Sequence, residues 1–125
     1  MITLYGIPNC DTVKKSRAWL DERQIAYQFH DFKKQGVPDD ALAQWTTALG
    51  WEPLVNKKGT TWRKLGAAEQ AAVVDTATAI ALMQRHASVI KRPVAVNAAA
   101  KTGSQTTVGY SPEAWAGWAA MPGKA

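Results

Sequence analysis

Hydrophobic and polar positions in the first third of the chain follow three successive patterns. Residues Ile2–Tyr5 form a short β-rich run that ends at Gly6, which predicts a strand. Positions Val13, Ser16 and Leu20 then repeat at helical spacing. This repeat predicts a helix that follows an N-cap at Asn9 and ends near residue 24. Residues 26–32 alternate between apolar and polar side chains, which predicts a second strand. A helical crossover of this length favours parallel pairing of the two strands.

The middle of the chain, residues 36–87, is predicted to be helical. A helix starts with Pro38 and the two aspartates after it and runs through residue 49, where Gly50 ends it. Residues 51–65 are predicted to form a loop or short helical turns, with Gly59 and the Thr60–Thr61 pair as breaks. Residues 67–85 are rich in Ala, Leu, Ile and Met, and they predict two helices with Asp75 as the cap between them.

The last third returns to β-structure. Strands are predicted over Pro93–Ala98 and Thr106–Tyr110, and Pro112 begins a closing helix that carries two tryptophans. The resulting order, β-α-β, helical insert, β-β-α, is that of a thioredoxin-like α/β fold with a mixed sheet. We therefore predict a single domain over residues 1–125. Its thioredoxin-like core spans residues 1–35 and 88–120, and its all-helical insert spans residues 36–87.

Composition excludes several classes of protein and of site. It has 125 residues, of which 46% are apolar and 20% charged, as in an ordinary soluble globular protein. Its single cysteine excludes an internal disulfide and a cysteine-rich zinc site. No signal-peptide pattern opens the sequence, and no apolar run approaches the ~20 residues that span a membrane. We expect a cytoplasmic protein with a reduced thiol and no membrane partner.

Net charge is +5, and the positive residues occur in four clusters. The clusters are Lys14–Lys15–Arg17, Lys57–Lys58, Arg63–Lys64 and Lys91–Arg92. Basic clusters bind nucleic acid or small anions in some proteins, but alone they are most often solvated surface. Because no nucleic-acid-binding motif accompanies them, nucleic acid is an unfavoured partner.

Cys10 is the main candidate for chemistry. It lies where the first predicted helix begins, and the unpaired N–H groups of a helix start stabilise a thiolate. Lys14 lies one turn further on the same face, and Arg17 lies near that face. These neighbours predict a lowered pKa for Cys10 and a competent nucleophile. The alternative is a buried, inert cysteine, which is the commoner state of free cysteines.

Other candidate residues carry weaker signals. His30 lies in the second predicted strand and His86 at a helix end, so neither is expected to activate Cys10. No spacing typical of metal ligands occurs, and no metal is expected. Pro93 starts a predicted strand, where a proline cannot donate to the sheet. The residues alone do not decide whether the peptide bond before Pro93 is cis or trans, and trans is the usual isomer.

Four segments together resemble one family. They are "YGIPNCDTVKKSRAWL", "NKKGTTWRKL", "KRPVAV" and "VGYSPEAW", and they occur in the family's order over nearly the whole chain. Through these segments the chain resembles the arsenate reductase/Spx (ArsC-like) family, in its YffB-like branch. The resemblance implies a thioredoxin-like fold with a helical insert. It also implies a cis peptide bond before Pro93, which would face the active-site cysteine Cys10.

The sequence departs from the family at positions that matter for activity. Arsenate reductases of this family hold an oxyanion with a cysteine and three arginines, to which Cys10 and Arg92 correspond. Asn56 and Tyr110 stand where the other two arginines are expected. Spx-type regulators often carry a Cys-x-x-Cys switch, but Val13 stands at its fourth position, so this switch cannot form.

The resemblance implies a glutathione-dependent thiol-disulfide reductase with Cys10 as nucleophile and glutathione as co-substrate. Glutaredoxin is a further partner that it implies. Five basic residues are predicted to hold the glutathione carboxylates: Lys14, Arg17, Lys57, Arg63 and Arg92. Two alternatives stay open. One is a non-enzymatic, Spx-like protein-binding regulator, with RNA polymerase as its partner, and the other is a weak arsenate reductase.

Overall fold

The structure is a computed structural model that describes residues 2–97 and 105–120. Its helices, strands and 3-10 turns follow one another along the chain. They are β1 (Ile2–Gly6), α1 (Asp11–Glu22), β2 (Tyr27–Asp31), α2 (Phe32–Gln35), α3 (Asp39–Leu49), a 3-10 turn (Glu52–Leu54), α4 (Thr60–Lys64), α5 (Ala67–Ala71), α6 (Thr76–Arg85), a second 3-10 turn (Ala87–Val89), β3 (Val94–Asn97), β4 (Gln105–Val108) and α7 (Pro112–Ala120).

Two compact units divide the chain. One comprises the residues up to Gln35 together with those from Arg92 onward, and the other comprises Gly36–Lys91. The first unit holds a four-stranded sheet in the order β2-β1-β3-β4. β1 pairs in parallel with β2 and antiparallel with β3, and β3 pairs antiparallel with β4. The predicted parallel β1–β2 pair and the mixed sheet are therefore confirmed.

Apolar side chains from the sheet, α1 and α7 form the core of the first unit. One cluster of buried side chains in this core comprises Ile2, Leu4, Leu20, Ala95 and Trp115. Trp115 is fully buried, and its indole Nε1 donates a hydrogen bond of 2.9 Å to Thr107 Oγ1 on β4. Trp115 therefore fixes α7 to the edge of the sheet through both burial and a directed bond.

Helix α1 buries the three positions that its sequence pattern predicts, Val13, Ser16 and Leu20. Ser16 is tolerated there because its hydroxyl donates to the Thr12 carbonyl at 2.7 Å. The helix ends at Glu22 rather than near Gln24. Gln24 has a φ of 57°, in the left-handed region, which is incompatible with a continuing helix.

Two local predictions outside the β1–α1 region are wrong. The predicted extension of β2 to Phe32 fails because Phe32 begins α2. The Asp31 carboxylate accepts the Lys33 N–H at 2.9 Å, which turns the chain out of the strand. The second error concerns Thr60, which opens α4 instead of breaking a helix, with Gly59 as its N-cap.

Strands β3 and β4 are confirmed with shorter bounds. Pro93 precedes β3, and Ala98, the predicted last residue of that strand, lies outside the described residues. β4 ends before Gly109, whose φ of 86° turns the chain and whose N–H donates to the Pro93 carbonyl at 2.8 Å. The segments before β3 and after β4 are thereby tied together.

The second unit consists of helices and 3-10 turns, with one isolated β-bridge between Val55 and Ile90. Helices α3 and α6 contact each other, and Gln84 Nε2 donates to Asp39 Oδ1 at 2.6 Å between them. Asp75 caps α6, as predicted: its carboxylate accepts the Thr78 N–H at 2.9 Å, and the Thr78 hydroxyl accepts the Asp75 N–H at 3.0 Å. This reciprocal pair is a capping box.

Candidate active site at the start of helix α1

The turn between β1 and α1 places Cys10 at the helix start. The Cys10 N–H donates to the Ile7 carbonyl at 3.4 Å, and the Cys10 carbonyl accepts the Lys14 N–H at 2.9 Å. Cys10 has extended backbone angles, φ −93° and ψ 127°, and is itself the N-cap of α1. The prediction of Asn9 as N-cap is therefore wrong by one residue, since the first intrahelical bond begins at Cys10.

Gly6 lets three parts of this site approach one another. A Cβ added at Gly6 would lie 2.8 Å from Val13 Cγ2 and 3.9 Å from Arg92 Cβ. Only a residue without a side chain leaves room for α1 and the Arg92 segment to meet at the end of β1. The sequence pattern identified Gly6 as a strand end and did not indicate this packing role, because Val13 and Arg92 meet it only in the folded chain.

The thiol of Cys10 is partly exposed, and three groups act on its charge. Burial raises the pKa of Cys10, but the N–H of Val13, the guanidinium of Arg92 and the N–H of Thr12 lower it, and the net pKa lies below the ordinary value. The Cys10 side chain makes no capping hydrogen bond of standard geometry. The two N–H groups and the guanidinium stabilise the thiolate relative to the thiol. The predicted direction of the shift is confirmed.

The cation that acts on Cys10 is Arg92, not Lys14. Lys14 is exposed on α1 and is not among the groups that shift the pKa of Cys10. Arg92 reaches the site because it lies directly before β3, and β3 is the antiparallel neighbour of β1. Of the five predicted basic residues, Arg92 is therefore the one that the structure brings to Cys10 within the first unit.

The peptide bond between Arg92 and Pro93 is cis, as the resemblance implies. Pro93 is buried, and its carbonyl accepts the Gly109 N–H. The role of the Pro93 backbone in binding a ligand stays a prediction.

Arg17, also predicted to hold an anion, is engaged with β2. Its Nε donates to the Tyr27 hydroxyl at 3.1 Å, and its guanidinium lies 4.2 Å from the centroid of the Phe29 ring. This placement combines a hydrogen bond with a cation–π contact. It orients Arg17 along the α1–β2 packing, and its part in binding glutathione stays a prediction.

Lys15, a member of the first basic cluster, lies beside Tyr110. Its Nζ lies 4.2 Å from the centroid of the Tyr110 ring, and Tyr110 packs edge-on against Trp115 at 5.8 Å. Tyr110 stands where the resemblance implies an arginine. No local sequence signal indicates this pair, because Lys15 and Tyr110 meet only through the packing of α1 on the sheet.

The remaining two predicted basic residues lie in the second unit. Lys57 places its Nζ 5.7 Å from the ring centroid of Trp51 and 5.5 Å from that of Trp62. Arg63 is exposed on α4. Their predicted contacts with glutathione stay predictions.

Neither histidine is among the groups that shift the pKa of Cys10. The His30 ring packs 4.9 Å from the Tyr5 ring, and His86 Nε2 lies 3.3 Å from Glu69 Oε2 in the second unit. Among the residues that the structure describes, no group of three or more His, Cys, Asp or Glu side chains is placed to hold a metal ion. Within the same ranges, no helix is long and apolar enough to cross a bilayer.

Comparisons with known proteins identify the family of this chain. The family model described as "ArsC family" matches residues 5–118. An uncharacterised protein of Haemophilus influenzae is 43% identical over 94 residues, covering 75% of this chain and 82% of the relative. The global transcriptional regulator Spx of Streptococcus agalactiae serotype V is 27% identical over 96 residues, covering 75% and 69% of the two chains.

Solved structures show the same fold. The YFFB protein is 45% identical with a TM-score of 0.84, and the match covers 96% of this chain and 100% of that protein. An arsenate reductase (ArsC) related protein from Brucella melitensis is 39% identical with a TM-score of 0.68, covering 96% and 95% of the two chains. The predicted fold class, a thioredoxin-like mixed sheet with helices, is confirmed by these likenesses.

Proposed function

Since the chain belongs to the ArsC family, whose fold is thiol reductase-like, we propose that it is a glutathione-dependent thiol-disulfide reductase. The observation that carries the proposal is the state of Cys10. The cysteine is the N-cap of α1 and is partly exposed. Burial raises its pKa, but the Val13 N–H, Arg92 and the Thr12 N–H lower it by more, so the net pKa is below the ordinary value. A partly exposed cysteine with these neighbours has the properties of a nucleophile rather than of an inert core residue.

The reaction has two exchange steps. In the first, the Cys10 thiolate attacks the glutathione sulfur of a mixed disulfide between glutathione and a substrate thiol. The Cys10–glutathione disulfide forms, the old S–S bond breaks, and the substrate thiolate leaves and takes a proton from solvent. In the second, the thiolate of another glutathione attacks the glutathione sulfur of this intermediate. Oxidised glutathione leaves, and the Cys10 thiolate is restored, held again by Arg92 and the helix start.

An external thiol is needed because Cys10 is the only cysteine in the 125 residues. A Cys-x-x-Cys protein resolves its own mixed disulfide, but Val13 occupies the position where a resolving cysteine would stand. Glutathione suits the role because it is an anionic thiol, and Arg92 offers charge-assisted hydrogen bonds beside the reacting sulfur. We also propose glutaredoxin as an electron donor, either instead of glutathione or together with it. A reduced glutathione pool fits the cytoplasm, which we propose as the location.

The first test is the mixed disulfide itself. Purified protein is treated with excess oxidised glutathione and its intact mass is measured, followed by treatment with reduced glutathione. We expect one glutathione adduct on the wild type, its removal by reduced glutathione, and no adduct on Cys10→Ser. Absence of an adduct on the wild type under excess oxidised glutathione would contradict the proposal.

A second candidate function rests on the Spx relatives, which are global transcriptional regulators by name. A non-enzymatic protein-binding module of this kind, with RNA polymerase as its partner, would not require thiol chemistry. The two functions are separated by Cys10→Ser in a pull-down with purified RNA polymerase. Binding that is equal for the wild type and Cys10→Ser, together with a failed glutathione exchange, favours the regulator.

A further inference from the structure

A cavity of about 270 Å³ lies within the second unit. Its polar lining consists of Lys57, Lys58, Lys91, Asn56 and Glu52. Neither Cys10 nor Arg92 contributes to it. The cavity is therefore distinct in its residues from the site at the start of α1.

Backbone pairing brings the three lysines to this cavity from two separate segments. Val55 and Ile90 form an antiparallel bridge, the Asn56 N–H donates to the Val89 carbonyl at 2.8 Å, and the Lys91 N–H donates to the Leu54 carbonyl at 2.8 Å. The position of Lys91 beside the 54–58 segment is thus fixed by main-chain bonds.

The loop that carries the other two lysines is also held. The Lys58 N–H donates to Asn56 Oδ1 at 3.2 Å, and the Gly59 N–H donates to the Asn56 carbonyl at 3.2 Å. Lys57 is further oriented by the two indole rings of Trp51 and Trp62. The loop backbone is therefore ordered before an anion binds, and the Lys57 side chain is ordered with it, which lowers the entropy cost of binding.

The charge around the cavity is unbalanced. Three lysines and one carboxylate residue, Glu52, line it. Within residues 2–97 and 105–120, none of the three lysines lies within 4.0 Å of a carboxylate oxygen. The net excess of two positive charges is therefore not neutralised inside the described part of the chain and favours an anion there.

We propose that this cavity binds a compact phosphate dianion, either free phosphate or the head of a small phosphomonoester. Two negative charges match the excess of two positive charges. Lysine ammonium groups act as point charges that suit a tetrahedral oxyanion, whereas planar carboxylates are best matched by the fork of an arginine, which this cavity lacks. The amide of Asn56 supplies a neutral donor beside them.

The test is a titration of ¹⁵N-labelled full-length protein at pH 7.5, followed by two-dimensional NMR. Inorganic phosphate and glycerol 3-phosphate are the probes, with sodium chloride keeping the ionic strength constant. We expect saturable shifts of the amide signals of residues 56–59 and of Lys91. Losing one charge-assisted hydrogen bond weakens binding by about ten- to a hundredfold, so Lys58→Gln and Lys91→Gln should each raise the dissociation constant by about that factor.

Lys64→Gln is the matched control. It removes the same charge from the same unit, but Lys64 is exposed on α4 and does not line the cavity. Equal weakening by Lys64→Gln, or shifts that follow ionic strength alone, would overturn the proposal. Shifts caused by a single-stranded oligonucleotide but by neither small phosphate would overturn it in favour of a nucleic-acid surface. Glutathionylation of Cys10 is measured separately, so either proposal can fail without the other.

Discussion

The guanidinium of Arg92 acts on the sulfur of Cys10 at the point where two neighbouring strands meet the start of a helix. Cys10 follows β1, Arg92 precedes β3, and the two strands pair antiparallel with Tyr5 opposite Val94. The antiparallel register therefore brings the end of β1 and the beginning of β3 together at the same end of the sheet. A helix N-terminus and a side-chain cation both favour negative charge on the same sulfur.

Removing this cation should raise the pKa of Cys10. In Arg92→Gln the positive charge and its hydrogen bond to the thiolate are lost, while the Val13 and Thr12 N–H groups remain. The rate of iodoacetamide alkylation, measured against pH, should then show its inflection at higher pH than in the wild type. Lys14→Gln is the control of equal charge, because Lys14 is exposed and does not act on Cys10. An equal upward shift in Lys14→Gln would show that the effect is one of net charge and not of contact.

Gly6→Ala should destabilise the protein and disturb the same cysteine. Its Cβ would lie 2.8 Å from Val13 Cγ2, and overpacking of this kind costs about 1–3 kcal/mol. Since Val13 donates the N–H that lowers the pKa of Cys10, displacing it should raise that pKa. Urea unfolding and alkylation against pH measure the two effects.

Gly117→Ala is the comparison for Gly6→Ala. Gly117 lies in α7 with no atom within 4 Å of an added Cβ, so the change should increase stability by about 0.5–1 kcal/mol. A Gly6→Ala protein as stable as Gly117→Ala would contradict the tight packing at Gly6.

The capping box of α6 should give the protein an acid-dependent contribution to stability. Hydrogen bonds from Thr78 lower the pKa of Asp75, so its stabilising effect is present above the ordinary aspartate pKa and is lost as pH falls through the lowered, folded-state value. Asp75→Ala should lower the midpoint of thermal unfolding at pH 7 and lower it progressively less below about pH 4.

Asp75→Asn separates the cap from its charge. Asparagine keeps an oxygen that accepts the Thr78 N–H, so most of the stability at pH 7 should remain. The acid-dependent part should disappear, because the amide does not titrate. A difference between wild type and Asp75→Ala that stays constant from pH 7 to pH 2 would contradict this assignment.

Efficient arsenate reduction should be absent while glutathione chemistry persists. Asn56 and Tyr110 stand where the resemblance implies two oxyanion-binding arginines, and in the structure the Tyr110 ring is covered by Lys15. Charge-assisted bonds contribute ~1.5–3 kcal/mol each, so losing two costs roughly two to four powers of ten in affinity. The measurement is arsenate-dependent NADPH consumption, coupled through glutathione reductase with glutaredoxin present, beside Cys10 glutathionylation by mass. Robust arsenate turnover by the wild type, absent in Cys10→Ser, would make the chain an arsenate reductase instead.

Local patterns predicted most of the fold because the forces behind them act over a few residues. The helical repeat of Val13, Ser16 and Leu20 and the cap at Asp75 were both legible in the sequence for this reason. The pattern failed at Phe32, where an apolar residue continued the strand alternation but the Asp31 carboxylate turned the chain. Side-chain hydrogen bonds of this kind compete with the strand and leave no hydrophobic signal.

The site was predictable only in part. A helix start with a cysteine is a local feature, so the neighbours of Cys10 in sequence predict its role. The family resemblance implies Arg92, whose contact with Cys10 depends on the pairing of β1 with β3. Helical spacing points to Lys14, but spacing gives the face of a helix and not the groups that approach it. The packing of Arg17 on Phe29 is likewise a tertiary contact.

The position of the second unit in the chain also determines the order in which a ribosome completes the site. Translation produces β1, Cys10, α1 and β2 first, and residues 36–91 emerge before Arg92 and β3. During this interval β1 has only β2 as a sheet neighbour, and the thiol has no guanidinium to favour its ionised form. Until Arg92 and β3 have been synthesised, the nascent polypeptide therefore carries a sulfur with less thiolate character than that of the folded protein.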